Sequence, residues 1–183
     1  MRNEIIIEVA KPGDEKEIES LASSVKIGKN DEKGFLVYPV NARNYRTRII
    51  LTPYFYVARE KKIIGYIMAY DKKAIEKLKE MGELSHEDEL VKSVEKKAFN
   101  RFIFIDQIAI GHDFCRRGIG SKLLEFLIKN IKGKYKVICC GVILSPVQNN
   151  AGRNFFVKHG FKLLKKIELE NHGYGCGIFY RKV

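Results

Sequence analysis

The stretch Cys115-Arg116-Arg117-Gly118-Ile119-Gly120-Ser121 carries the residue types that hold phosphate. Two glycines stand at the head of a run in which Leu123, Leu124, Leu127, Ile128 and Ile131 recur at helical spacing. The first turn of a helix presents backbone N–H groups without intrahelical acceptors, together with a partial positive charge. Glycine removes the side chains that would keep a phosphate off that backbone. Arg116 and Arg117 add positive charge at the mouth, and pyrophosphate is the natural guest. A tight packing turn would use the same glycines, so a short G-x-G by itself leaves both readings open. The G-x-x-x-x-G-K-[ST] phosphate loop is absent. Leu123 stands where the third glycine of a G-x-G-x-x-G dinucleotide fingerprint would fall.

Other chemistries find little support. Cys115, Cys139, Cys140 and Cys176 form no C-x-x-C pair, and His86, His112, His159 and His172 are scattered, so no metal site is expected. Cys139 and Cys140 are adjacent in an apolar run and should point to opposite faces of a strand as buried, reduced thiols. The scattered histidines read as surface or loop residues. The chain of 183 residues has a formal net charge of +12. Its lysines are dispersed rather than gathered in one tract, which argues against nucleic acid as a partner. No run approaches the roughly 20 apolar residues that span a membrane. The first residues include acidic side chains and no signal-like apolar stretch, so a soluble cytoplasmic protein is expected.

The elements that must position the turn follow from periodicity. Glu4 to Val9 reads as a strand. Asp14 with Glu17 reads as a capping box, opening a helix with Ile18, Leu21, Ala22 and Val25 on one face. Gly28 to Gly34 is a polar loop, and the stretch from there to Thr52 is undecided between helix and loop. Tyr54 to Arg59 and Ile63 to Tyr70 read as a hairpin. Residues 71–100 are highly charged and read as a helical insertion. Ile75 and Leu78 lie on one short helix there, and Ser85 with Asp88 caps a second through Leu90, Val91, Val94 and Ala98. Phe102 to Ile110 is a strand, Ser121 to Lys132 the clearest helix, and Gly133 its stop. Val137 to Leu144 reads as a strand buried on both faces. Asn149 or Asn150 caps a helix from Ala151 to His159. Phe161 to Leu169 and Cys176 to Arg181 are the last strands. The order describes a mixed α/β sheet in one domain over residues 1–183.

The turn and a second motif together resemble the GNAT superfamily of N-acetyltransferases. Cys115-Arg-Arg-Gly-Ile-Gly120 fits the frame of that family's pyrophosphate loop, Q/R-x-x-G-x-G/A, which follows its fourth strand. Asn149-Asn-Ala-Gly-Arg-Asn-Phe-Phe-Val-Lys-His-Gly-Phe161 is similar to the helix motif N-x-x-A-x-x-x-Y-x-x-x-G-F after its fifth strand. The strong match spans Phe102 to Phe161. The resemblance implies a three-layer α-β-α fold with a splayed, mostly antiparallel sheet, and acetyl-CoA as acetyl donor. It places backbone contacts to pantetheine at Ile108, Ala109 and Ile110. Pyrophosphate contacts fall at Arg116, Arg117, Gly118, Ile119, Gly120 and Ser121, and a further cofactor contact at Asn149. The acceptor it implies is an amine: a protein N-terminus, a lysine or a small molecule. A homodimer is in keeping with it.

Three positions depart from the pattern: Cys115 for Gln or Arg, Gly152 for alanine, and Phe156 for a tyrosine that can protonate the leaving thiolate. A thiol with a pKa near about 8.5 leaves tolerably without help. Asp106 lies on the fourth strand near the implied thioester position. A carboxylate among Phe102, Ile103, Phe104 and Ile105 has a raised pKa where it is buried, which suits a base. A solvent-facing or purely structural Asp106 is the competing reading. Tyr174 and Tyr180 are alternative proton donors, although aromatic residues on strands more often pack. The alternative to an acetyltransferase is a GNAT-like domain that binds an acyl-CoA without turning it over, as sensor or scaffold.

Overall fold

The computed structural model describes residues 4–29, 31–84, 90, 92–93, 101–169 and 173–183. Seven strands form one sheet in the order β1-β2-β3-β4-β5-β7-β6. They are β1 (Ile6–Val9), β2 (Phe55–Arg59), β3 (Ile63–Tyr70), β4 (Phe102–Ile110), β5 (Val137–Ser145), β6 (Lys162–Leu169) and β7 (Tyr174–Lys182). The β1–β2, β2–β3, β5–β7 and β6–β7 pairs are antiparallel, and β4–β5 is parallel. Among the described residues the full helices are α1 (Glu15–Ser24), α2 (Ala42–Leu51), α3 (Lys72–Glu80), α4 (Ile119–Ile131) and α5 (Asn150–Lys158). This is the expected mixed α/β, mostly antiparallel fold. Leu90, Lys92 and Ser93 are also helical; the rest of the expected second insertion helix, with its Ser85 and Asp88 cap, lies outside the described residues. No described helix is long and apolar enough to cross a membrane.

The chain divides into two compact units: Met1–Ala69 with Gln107–Asn130, and Tyr70–Asp106 with Ile131–Val183. In the first, all of β3 up to Ala69 is buried, as its unbroken apolar run requires. Helix α4 buries Leu123, Leu124 and Leu127 completely. Helix α2 resolves the stretch that periodicity left undecided. Asn41 caps it by accepting the Asn44 N–H at 2.9 Å. Its buried stripe is Tyr45, Arg48 and Ile49. A cation in that stripe disguises the helical pattern. Arg48 is only 1% exposed and donates from Nη1 to the Asn44 carbonyl at 3.2 Å.

The capping box expected at Asp14 and Glu17 does not form. Asp14 has helical dihedrals and makes no side-chain cap. Arg59 of β2 claims it instead, at 2.7 Å, and also lies 3.0 Å from Glu8. Glu17 accepts the Ile63 N–H at 2.8 Å. These carboxylates tie α1 to the β2–β3 hairpin, a use that local sequence does not reveal.

A buried polar knot lies where β4 enters this unit. The Gln107 side-chain oxygen accepts from Tyr66 at 2.7 Å and from Tyr45 at 3.0 Å, and the two hydroxyls stand 3.1 Å apart. The Gln107 amide donates to the Tyr38 carbonyl at 3.0 Å. All three side chains are buried, so the bonds replace water that the knot excludes.

In the second unit, β5 is buried over Val137–Cys140, and beyond that only Val142 is buried, rather than both faces throughout. Cys139, Cys140 and Cys176 are free and buried. Burial pushes Cys139 and Cys176 up to about 12 and Cys140 well above its ordinary value.

Two outcomes follow. Gln107→Leu removes the acceptor that two buried hydroxyls share and should lower the unfolding free energy by about 1–3 kcal/mol, read as a lower urea midpoint. The thiols set an alkaline limit. Unfolded, they ionise near about 8.5, so their burial stabilises fully below that pH. That contribution is lost as pH rises toward about 12. Melting temperature should therefore fall through that window, and a thiol reagent at pH of about 8 should spare these three cysteines until urea is added.

Candidate active site

The turn after β4 takes its shape from two residues with left-handed backbone. Arg116 has φ 62° and Gly118 φ 78°. Gly118 suits that conformation; a residue with a side chain adopts it at a cost. The segment is tied down just upstream: Gly111 N–H donates to the Ile64 carbonyl at 3.0 Å and Phe114 N–H to the Gly111 carbonyl at 2.8 Å. Cys115 fills the turn's interior, its Sγ 3.7 Å from the Gly111 carbonyl and 3.9 Å from that of Ile110. Burial raises its pKa, outweighing Lys33 and Arg116, so it stays a thiol and packs.

Helix α4 begins directly behind the turn. Its first bond runs from Lys122 N–H to the Gly118 carbonyl at 3.0 Å, so the amides of Ile119 and Gly120 lie ahead of the intrahelical ladder. A Cβ built on Gly118 would enter open space, which is the room a phosphate needs at a helix N-terminus. Arg116, Arg117 and Gly118 are exposed. Arg117 stacks its guanidinium over the Phe114 ring, 5.0 Å from the centroid, which holds its charge near the mouth. The residues present therefore fit a pyrophosphate.

Ile108, Ala109 and Ile110 belong to the same unit as the turn. Ile108 and Ile110 are half-buried and Ala109 is buried. Gly65 of β3 makes room for them: a Cβ there would sit 2.6 Å from Ile110 Cδ1 and 3.1 Å from the Ala109 carbonyl. His112, expected at the surface, is half-buried in the short 3-10 turn before Cys115.

Asp106 and Asn149 fall in the second unit. Asp106 is half-buried and accepts the Tyr70 hydroxyl at 3.0 Å; Tyr70 itself is fully buried. Sequence reasoning missed Tyr70, which reads only as the last aromatic of a hairpin strand. Asn149 caps α5, its side-chain oxygen accepting the Gly152 N–H at 2.8 Å. An alanine Cβ at 152 would press to 2.9 Å from that oxygen, which accounts for the glycine. Phe156 is buried between Phe155 and Phe161, with ring centroids at 5.2 and 5.0 Å. Tyr174 and Tyr180 are half-buried on β7.

The family described as acetyltransferase (GNAT) domain matches residues 52–163. No curated protein sequence matches the chain. Among solved structures, Ard1 from Thermoplasma volcanium aligns with TM-score 0.69 at 14% identity, over 98% of this chain and 97% of its own. The polyamine N-acetyltransferase of Drosophila melanogaster, which catalyses formation of N-acetylagmatine, aligns with TM-score 0.69 at 11% identity, over 98% and 100%. A NatC complex bound to Gag peptide and CoA aligns with TM-score 0.65 at 16% identity, over 98% and 99%. At these identities the likeness concerns the fold.

Proposed function

The chain belongs to the GNAT acetyltransferases, and on that premise we propose that it moves an acetyl group from acetyl-CoA to a primary amine by direct transfer in a ternary complex. The observation that carries the reading is the left-handed pair Arg116 and Gly118 opening α4. The near-complete alignment with single acetyltransferase chains supports reading residues 1–183 as one such domain.

Each residue has a part in this reading. The amides of Arg116, Arg117, Gly118, Ile119, Gly120 and Ser121 bind the pyrophosphate, with both arginines adding charge. Ile108, Ala109 and Ile110 hold the pantetheine arm through their backbone. The Ile108 N–H is suited to polarise the thioester carbonyl. Asp106, oriented by Tyr70, takes the amine proton directly or through a water as nitrogen attacks. Thiolate leaves unassisted, because Phe156 has no proton to give. Asn149 contributes a cofactor contact from the start of α5. The basic balance favours an acidic acceptor surface, and it serves the polyanionic donor equally.

Phe156 in the core supports a second reading, an acyl-CoA sensor or scaffold without turnover. Calorimetry with acetyl-CoA comes first: the wild type should bind well below millimolar, and failure to do so would sink both readings. Gly118→Val forces a branched side chain into φ 78° and should weaken binding roughly tenfold or more. Thiol release with a panel of amines then separates the two, since binding without release selects the sensor. Asp106→Asn should lower kcat about 100- to 10,000-fold with acetyl-CoA affinity intact, and unchanged turnover removes Asp106 as base.

A further inference from the structure

Basic residues that are dispersed along the sequence are partly gathered by the fold of the second unit. Three segments meet there: the start of α3, the residue before β4, and the connection that leads into β5. Asp71 accepts the Tyr135 hydroxyl at 3.0 Å. Arg101 donates from Nε to the Lys134 carbonyl at 2.8 Å and from Nη2 to the Gly133 carbonyl at 3.1 Å. Its own carbonyl accepts the Lys136 N–H at 2.8 Å. These bonds frame an open cleft of about 360 Å³, whose lining includes Asp71, Lys72, Lys73, Arg101, Lys134 and Tyr135. Every residue of the lining belongs to this one unit.

One carboxylate, Asp71, stands among the cations of the lining, and it is already committed. Its Oδ1 caps α3 by accepting the Ala74 N–H at 2.8 Å, and its Oδ2 holds Tyr135. Lys72 lies 4.0 Å from Glu76, which is outside the lining. Lys73, Arg101 and Lys134 are exposed and enter no ion pair among the described residues. Arg101 commits Nε and Nη2 to carbonyls and leaves Nη1 without a hydrogen bond among the described residues. Positive charge without a counter-charge in a cleft favours an anion. A phosphate monoester carries about −1.5 to −2 at neutral pH and three acceptor oxygens, where a carboxylate carries a single charge. That excess suits an arginine flanked by lysines. The volume is that of a small-molecule site. We propose that this cleft binds a small molecule carrying a phosphate monoester. It shares no residue with the acetyl-CoA contacts proposed above and does not depend on the acetylation reading.

Calorimetry on the full chain tests this with three probes: adenosine monophosphate, adenosine and inorganic phosphate. Saturating acetyl-CoA is present throughout, so that the nucleotide does not report on a cofactor site. At an ionic strength of about 0.15 M, adenosine monophosphate should bind with a Kd of roughly millimolar or below, and adenosine should not bind. Lys73→Gln combined with Lys134→Gln should weaken the nucleotide roughly tenfold or more. Lys162→Gln combined with Lys166→Gln removes the same charge from exposed positions of β6 and should leave that Kd unchanged. Equal losses in the two double variants mean general attraction to a basic protein and overturn the site. Equal binding of adenosine, or binding of inorganic phosphate with none of the nucleotide, overturns the monoester. A wild type that binds none of the probes overturns the proposal outright. Should the first double variant not fold, Lys73→Gln alone is expected to weaken the nucleotide, and an unchanged Kd is equally fatal.

Discussion

Strand β4 has to do two incompatible things, and its neighbours are arranged around that constraint. It is a central strand, so its backbone groups need hydrogen-bond partners. Yet its pairing with β5 runs over four residues of nine, ending at Ile105. At that point the sequence changes from Phe-Ile-Phe-Ile to Asp-Gln, and each polar side chain finds a buried tyrosine: Tyr70 for Asp106, Tyr45 and Tyr66 for Gln107. Side-chain bonds anchor the strand where ladder bonds to β5 stop. A ligand with an extended amide backbone is a natural partner for the remaining strand edge, which is what the proposed pantetheine arm supplies.

The turn that follows works by the same economy. The groups proposed to hold the pyrophosphate are backbone amides, presented by the left-handed Arg116 and Gly118 and by the start of α4. Backbone amides survive almost any change of side chain, so the position of Cys115 tolerates a departure from the family pattern. The thiol packs against two carbonyls and leaves the charge to Arg116 and Arg117.

Legibility in the sequence tracks how local the cause is. The spans of β3, β4, α4 and α5 follow closely from periodicity and glycine stops, because the residues that decide them are neighbours in the chain. The glycine turn ahead of α4 is legible for the same reason. Helix α2 is not, because its buried stripe includes Arg48, which any hydropathy pattern counts as surface. The capping box at Asp14 fails because Arg59, far along the chain, competes for the carboxylate. The Tyr70 hydrogen bond to Asp106 is invisible for a related reason: it has no motif and forms only when the strands are in place.

The three departures from the family pattern can be weighed by what each position must supply. Gly152 lies under the Asn149 cap and answers to space, and Cys115 answers to packing beneath the turn. Phe156 is different in kind, because a hydroxyl is lost outright and the ring is locked among Phe155 and Phe161. Restoring that hydroxyl would bury it in an aromatic cluster, at a cost of about 1–3 kcal/mol if it found no partner. A thiol that ionises near about 8.5 needs no such donor near neutral pH. The burden of catalysis then shifts from the leaving group to the nucleophile. The amine, with a pKa near about 10.4 for a lysine side chain, must lose a proton before or during attack. In the proposed mechanism that requirement falls on Asp106, the one carboxylate of β4, and makes its hydrogen bond to Tyr70 the contact on which turnover would depend.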